Sequence, residues 1–385
     1  MVFQDKFHLR IPGPTPVPPR VQQAMAKPMI GHRSNIASKL IQDCTNQLKP
    51  IFGTSLQPVI LAGSGTSALE AAVVNTLSEG DEAIVVSTGA FGDRFAKIIQ
   101  KYGFNLHVLD IPWGKACEPD NLSVFIQKYP QAKAVFLTYC ETSTGVLNPI
   151  PELAQTVHQH SDALVVVDGV SCIGAVPCQM DEWNIDIMVT GSQKALMLPP
   201  GLAIVAASER AWKTIESNDQ PSFYLDLDSY RKKLEQQATT PFTPAVSLLY
   251  GLKEALSMIE EEGYEQVFAR HERLRKLTRA GIRALGLTLM VENRHASPTV
   301  TSIVTSHEKW DVESFRKNMQ ANGFIVAGGQ QHLKGEIFRI GHMGYCDDWD
   351  IVAVLAAIEF TLHQMGVPVE LGAATKAAQE VMLDV

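Results

Sequence analysis

Residues 185–195 read Ile-Asp-Ile-Met-Val-Thr-Gly-Ser-Gln-Lys-Ala and join an apolar run to a turn of small polar residues that carries one lysine, Lys194. A second apolar run, Leu164–Asp168, has the same texture and ends on an aspartate. Runs that are apolar on both faces are typical of parallel strands that helices cover on each side. We therefore predict an α/β sheet in which Asp168 and Lys194 share the carboxyl edge, where open sheets of this class bind ligands.

The same alternation of short apolar runs and helical patterns extends to about residue 210 and predicts a large domain at residues 21–255. The candidate strands of a mainly parallel seven-stranded sheet are Val59–Ala62, Ala83–Ser87, Leu106–Leu109, Ala134–Thr138, Leu164–Asp168, Ile185–Thr190 and Leu202–Ala206. A long helical pattern, Val246–Glu262, leads into a predicted smaller α/β domain at residues 256–385. The proline-rich stretch 8–20 predicts that residues 1–20 form an extended N-terminal arm.

Composition narrows the class of protein. The chain has 385 residues, of which 45% are hydrophobic and 19% charged, with a net charge of −8. An acidic balance disfavours nucleic acid and anionic membranes as partners. Neither a signal peptide at Met1–Lys6 nor an apolar run of about 20 residues that could span a bilayer is recognisable. Six scattered cysteines without a Cys-x-x-Cys pair disfavour a zinc site and disulfides, so we predict reduced thiols and a cytoplasmic location.

A candidate phosphate site lies at Ala62–Ala68, which follows a strand and opens a helix. Free backbone N–H groups and the helix dipole at such a position bind anions. The same residues also fit the dinucleotide fingerprint Gly-x-Gly-x-x-Ala, but a nicotinamide enzyme should then have an acidic residue at the end of the second strand. That strand ends Val85-Val86-Ser87-Thr88, which disfavours the dinucleotide interpretation.

Lys194 and Asp168 together suggest pyridoxal 5′-phosphate as the cofactor. The cofactor needs a lysine that can form a Schiff base and a carboxylate that keeps its pyridine nitrogen protonated. The rigid apolar residues after Lys194 predict a lowered lysine pKa and a usable neutral amine. Taken singly, each residue has an ordinary interpretation, because lysines after strands are commonly solvated and strand-terminal aspartates often cap the next helix.

Three further residues are candidate ligands. Phe91 lies on a glycine-flanked loop and could stack on a planar ring or belong to the core. Thr142 follows the fourth predicted strand and could reach the ring's phenolic oxygen, brace Asp168 or simply form a turn. Arg339 lies inside an apolar strand, where it could grip a carboxylate or face solvent.

With these motifs assembled, the chain closely resembles the class V aminotransferases, specifically the alanine–glyoxylate and serine–glyoxylate (serine–pyruvate) group. The resemblance covers nearly the whole chain and rests on PGPTPVPPRV, GSGTSALEAAVVN, ETSTGVLNP, VVVDGVS, GSQKALMLPPG, TPFTPAVSLLYGL and FRIGHMG. It implies a type I pyridoxal-phosphate transferase fold. It also implies a homodimer whose active sites lie between the subunits.

The resemblance also implies roles for individual residues. Lys194 would attach to the cofactor covalently and Asp168 would pair with its ring nitrogen. Thr142 would contact the ring oxygen, and Arg339 would hold the substrate carboxylate. The residues that would serve the phosphate are Ser64, Gly65, Thr66 and Gln193, together with Thr243 reaching the partner's phosphate. Phe91 and Thr240 stand where animal relatives have a stacking tryptophan and a phosphate-binding tyrosine.

The predicted reaction is a transamination from alanine or serine to glyoxylate that yields glycine and pyruvate or hydroxypyruvate. The donor's keto acid should leave before glyoxylate enters, which predicts ping-pong kinetics. The alternatives are a 2-aminoethylphosphonate–pyruvate aminotransferase, a cysteine desulfurase or an accessory subunit that keeps the fold. The desulfurase is disfavoured because Cys346 is the only cysteine of the small domain and the loop VAGGQQHLKGE before Arg339 has none.

Overall fold

The computed structural model describes residues 7–305 and 309–384. They form two main β-sheets, each packed with α-helices. The strands are β1 His8–Arg10, β2 Val59–Gly63, β3 Glu82–Ser87, β4 Asn105–Asp110, β5 Ala134–Thr138, β6 Cys140–Glu141, β7 Val146–Leu147, β8 Leu164–Asp168, β9 Ile187–Gly191, β10 Gly201–Ala207, β11 Thr288–Leu289, β12 Val300–Val304, β13 Phe324–Gly328 and β14 Ile337–Gly341. The first six residues of the predicted arm lie outside the described residues.

The α-helices are α1 Pro19–Met25, α2 Asn35–Phe52, α3 Gly65–Val74, α4 Gly92–Lys101, α5 Pro119–Ile126, α6 Ile150–His160, α7 Glu209–Ser217, α8 Leu227–Gln237, α9 Val246–Glu262, α10 Tyr264–Ala284, α11 Val312–Ala321, α12 Asp348–Gln364 and α13 Ala373–Leu383. None of the helices in the described part of the chain is both long and apolar enough to cross a membrane.

The large sheet has seven strands in the order β2-β10-β9-β8-β5-β3-β4. Strand β10 runs antiparallel to its two neighbours, β2 and β9, and the other neighbouring pairs are parallel. The predicted α/β class and mainly parallel seven-stranded sheet are therefore confirmed. Strands β5, β8 and β9 are buried along their whole length, as their uninterrupted apolar runs predict. The predicted strand Ile185–Thr190 begins two residues later, at Ile187.

The small sheet has the order β1-β13-β14-β12-β11. Strand β1, from the N-terminal arm, adds to its edge parallel to β13, with His8, Leu9 and Arg10 in register with Phe324, Ile325 and Val326. The arm is therefore extended, as its prolines predict, and one part of it is a sheet strand. It ends where Pro19 starts α1, a position at which proline is well tolerated in a helix.

The two larger hydrophobic cores correspond to the seven-stranded and the five-stranded sheets. Along α9 and α10 the larger core includes residues up to Val267, and it also contains Val300 of β12. The smaller core begins at Leu274 on α10. The change from one core to the other thus occurs within α10, on the C-terminal side of the predicted domain boundary between residues 255 and 256. That boundary stays a proposal.

Candidate active site

The carboxyl edge of the large sheet brings the two principal candidates together. Asp168 is the last residue of β8, and the backbone N–H of Gly169 donates to the carbonyl of Val189 on β9 at 2.9 Å. Lys194 follows three residues after β9 ends, and its side chain is only 8% exposed. The strand order therefore places both residues at one edge, as the sequence indicates.

The N-terminal arm packs directly on Lys194. The lysine Nζ donates a hydrogen bond to the carbonyl oxygen of Pro12. A Cβ on Gly13 would lie 2.5–2.8 Å from the outer atoms of the lysine side chain, so only glycine allows this approach. Thr15 Oγ1 donates to the lysine carbonyl at 3.0 Å. Burial under this cover lowers the lysine pKa to about 8, since the ammonium loses its hydration.

Asp168 is buried in the same region. Its Oδ1 accepts a hydrogen bond from the backbone N–H of Val170 at 2.8 Å. Burial raises the pKa of Asp168 to about 7, and this hydrogen bond opposes the rise in part because it favours the ionised form. A positively charged partner at this carboxylate would restore its ionised state.

The candidate phosphate site lies where α3 begins. Ser64 is the N-cap residue, it is exposed, and no side chain caps the helix, which leaves backbone N–H groups for an external acceptor. A Cβ on Gly191 would lie 3.2 Å from Gly65 Cα and 2.9 Å from Gln193 Oε1. Within the described residues, Gln193 Oε1 is buried and receives no hydrogen bond. The helix terminus and the Gln193 turn therefore lie side by side, and the groups there that can donate to an anion are the backbone N–H groups at the start of α3.

A cavity of about 540 Å³ opens over Lys194. The predicted site residues that do not line it include Ser64, Gly65, Thr66, Asp168 and Gln193. Four predicted site residues line it: Phe91, Thr142, Lys194 and Arg339. The other lining residues are Ile11, Pro12 and Gly13 of the arm, and Glu313, Arg316, Ile325, Val326, Ala327, Gly328, Gly329, Gln330 and Lys334 of the C-terminal part.

Arg339 lies on β14 in the wall of this cavity. Its Nε donates to the carbonyl of Gly328 at 2.9 Å, and one terminal nitrogen donates to the carbonyl of Thr142 at 2.8 Å. Burial lowers the pKa of Arg339 to about 10. The two contacts hold the guanidinium in place and leave further donors that could bind a carboxylate.

Glu141 is a site residue that the sequence analysis missed. Its carboxylate is fully buried and accepts backbone hydrogen bonds from Phe91 at 3.0 Å, Gly92 at 3.2 Å and Ser143 at 3.0 Å. Burial raises its pKa despite these bonds. It fixes the loop that presents Phe91, and the one available signal was an acidic residue directly before Thr142.

Thr142 is buried, and its hydroxyl donates to Ser171 Oγ, so its oxygen lone pairs stay available as acceptors. Thr240 and Thr243 do not line the cavity of their own chain. Thr240 Oγ1 donates to the carbonyl of Phe242 at 2.6 Å, and Thr243 is exposed. Their predicted roles toward a partner subunit stay predictions.

The sequence model of the family described as aminotransferase class-V matches residues 9–341. The chain belongs to the class V aminotransferases. The enzyme is therefore an aminotransferase that acts on amino and keto acids and uses pyridoxal 5′-phosphate, as the resemblance implies.

Relatives with different names match almost the whole chain. A protein of Synechococcus named soluble hydrogenase, small subunit, is 43% identical over 94% of this chain and 95% of its own length. The serine–glyoxylate aminotransferase of Arabidopsis thaliana is 35% identical over 98% of this chain and 96% of its own. The crystal structure of ureidoglycine–glyoxylate aminotransferase from Bacillus subtilis superposes with a TM-score of 0.92 at 31% identity, covering 98% of each chain.

The residues present fit this family's cofactor. Lys194 offers a buried amine with a lowered pKa. Asp168 offers a buried carboxylate that has no cationic hydrogen-bond partner among the residues the structure describes. The uncapped start of α3 offers N–H groups to a phosphate.

We predict that Asp168→Asn stabilises the cofactor-free enzyme. The pKa of Asp168 is raised from 3.8 to about 7, so the unfolded chain binds fewer protons between these pH values and wild-type stability falls as pH rises. The free energy of unfolding of Asp168→Asn should exceed that of wild type by an amount that grows from about pH 4 to pH 7. This difference should reach at most about 4 kcal/mol and stay constant at higher pH. Urea unfolding at a series of pH values measures it.

Asp186→Asn is the matched control. Asp186 is also buried, but it pairs with Arg210 at 3.2 Å and accepts from the backbone N–H of Val165 at 2.9 Å. Its replacement should therefore destabilise the protein. Equal stability of Asp168→Asn and wild type at pH 8 would contradict the burial argument.

Proposed function

We propose that the enzyme transfers the amino group of a small L-amino acid, alanine or serine, to glyoxylate and releases glycine with pyruvate or hydroxypyruvate. The observation that carries the proposal is one cavity lined by both a buried amine, on Lys194, and a buried guanidinium, on Arg339. An α-amino acid presents an α-proton to remove and, on the same carbon, a carboxylate to bind. The name of the Arabidopsis relative supports serine and glyoxylate as substrates.

Each residue has a proposed task in holding the cofactor. Ser64, Gly65, Thr66 and Gln193 bind the phosphate at the start of α3, where the N–H groups are free. Phe91 stacks on the ring from the loop that Glu141 fixes. The Thr142 oxygen contacts the ring's oxygen, and Asp168 pairs with the ring nitrogen and keeps it protonated.

When bound, pyridoxal 5′-phosphate supplies an electron-accepting ring that stabilises negative charge at the donor's α-carbon and carries the amino group between substrates. Lys194 anchors the cofactor between turnovers. Its amine then takes the proton from the donor α-carbon and later returns it, as general base and general acid. A pKa of about 8 suits both tasks near neutral pH, since each protonation state is accessible.

Arg339 and the arm orient the substrate. The guanidinium, held by Gly328 and Thr142, binds the α-carboxylate and so directs the α-carbon toward Lys194. Pro12 and Gly13 pack against the lysine side chain and exclude water from the amine.

We also propose a cytoplasmic homodimer in which Thr240 and Thr243 reach the partner's cofactor phosphate. The surface beside them supports an interface. Phe242 packs against Phe223 and Tyr224 at ring distances of 5.3 and 5.1 Å, and Phe223 is 84% exposed. An exposed aromatic cluster of this kind is typical of surfaces that bind another protein.

Lys194→Ala should abolish turnover, with a loss of at least about a thousandfold, because it removes both the anchor and the proton carrier. It should also remove the visible absorbance of the anchored cofactor. Lys334→Ala is the matched control, since this lysine lines the same cavity but has no proposed role. Absorbance scans and initial rates measure both; a normal cofactor band in Lys194→Ala would refute the assignment.

Arg339→Gln should raise KM for alanine or serine by about 10- to 100-fold, because it removes a charge-assisted carboxylate contact. Cofactor affinity should change by no more than about threefold, as the residue is assigned to the substrate alone. Steady-state kinetics and cofactor titration separate the two effects. An unchanged KM would end the assignment.

A donor panel tests the substrates directly. Alanine, serine, aspartate and 2-aminoethylphosphonate are each paired with glyoxylate and with pyruvate. We expect turnover with alanine or serine and glyoxylate, and parallel double-reciprocal lines, since one product leaves before the second substrate binds. Intersecting lines would contradict the two-step scheme. Activity with 2-aminoethylphosphonate and none with alanine or serine would favour the alternative phosphonate aminotransferase.

A further inference from the structure

Arg94, on the first turn of α4, makes two contacts that no proposed role uses. Its guanidinium carbon lies 4.5 Å from the centroid of the Phe91 ring. Its terminal nitrogen donates to Thr66 Oγ1 at 3.2 Å. One side chain therefore touches the residue proposed to stack on the cofactor ring and a residue proposed to hold the phosphate.

The Phe91 ring is held from two directions. Glu141 fixes its backbone through the N–H groups of Phe91 and Gly92. Arg94 covers one face of the ring, and Arg94 itself does not line the cavity that Phe91 lines. A cation over an aromatic face is attractive and restricts the ring's rotation.

The charge of Arg94 also reaches the reacting groups. Burial is the largest influence on the pKa of both Asp168 and Lys194, and the Arg94 charge lowers both pKa values. The effect favours the ionised carboxylate and the neutral amine, which are the forms that the proposed reaction needs.

We propose that Arg94 is a positioning residue for the cofactor. Arg94 holds the Phe91 ring against the cofactor ring and, by its contact with Thr66, connects Phe91 to the residues proposed to bind the phosphate. The inference rests on the proposed function, since it requires cofactor in this cavity. Arg94 makes no contact with the cofactor in this scheme. It positions the cofactor through Phe91 and Thr66, while its charge acts on Asp168 and Lys194 at a distance.

The test compares Arg94→Gln and Arg94→Lys with wild type. Cofactor-free protein is titrated with pyridoxal 5′-phosphate to obtain Kd, and visible circular dichroism of the loaded protein reports how the bound ring is oriented. Arg94→Gln should raise Kd about tenfold and at least halve the dichroic signal per bound cofactor. Arg94→Lys keeps the charge without the planar group, so it should bind inorganic phosphate like wild type but show the reduced dichroism. Arg94→Lys also allows the proposal to be tested if the Arg94→Gln protein does not fold stably.

A double-mutant cycle with Phe91→Leu identifies the route of the effect. If Arg94 acts partly through the ring, Arg94→Gln should raise Kd by clearly less than tenfold when Phe91 is already leucine, because only the Thr66 contact and the charge then remain to be lost. Arg231→Gln is the matched control, because its guanidinium lies 5.0 Å over the ring of Trp212, outside the cavity. It should leave Kd and dichroism unchanged.

Several results would overturn the inference: wild-type Kd and dichroism in Arg94→Gln, an undiminished loss in the Phe91→Leu background, or an equal loss in Arg231→Gln. These outcomes are distinct from failure of the proposed function. If wild-type protein took up no pyridoxal 5′-phosphate, the proposed function would fail together with the inference. If wild type binds it and Arg94→Gln binds it equally well, only the inference fails.

Discussion

The structure depends on burying two ionisable side chains, Asp168 and Lys194, at the edge of one sheet. Removal from water penalises the charged form of each, which raises the carboxyl pKa and lowers the amine pKa. Both pKa values therefore move toward neutral pH, where a proton carrier is most useful. The protein tolerates this cost because its large parallel sheet and two hydrophobic cores stabilise the rest of the molecule. A cofactor with a cationic ring nitrogen would relieve the penalty at Asp168.

Much of the fold could be predicted from local sequence. The strands of the large sheet are short β-rich apolar runs between helical patterns, and such patterns depend on nearby residues alone. The turn after β9 and the start of α3 were recognisable because small residues follow apolar strands there. The parallel order of strands then brings these positions to one edge, so Lys194, Thr142 and Phe91 could be proposed together. Arg339 was recognisable separately, as an arginine inside an apolar strand of the small sheet.

The features that escaped prediction are contacts between distant parts of the chain. Nothing local in residues 8–10 indicates that they pair with Phe324–Val326. The local sequence around Glu141 indicates only a turn, because its contact with Phe91 forms only in the folded chain. Arg94 reads as a solvated helical arginine, and its position beside Thr66 depends on how α3 and α4 pack. Such interactions need three-dimensional information, which periodicity does not contain.

The N-terminal arm has a consequence for biosynthesis. Its strand pairs with Phe324–Val326, and Thr15 donates its backbone N–H to the carbonyl of Gln193. A ribosome delivers the arm first and these binding partners much later, while domains fold as they emerge. The nascent β1 must therefore wait, unpaired, until residue 326 has been translated. Cover of the lysine amine by Pro12 and Gly13 needs only the segment around Lys194, so the two attachments of the arm become possible at different stages of synthesis.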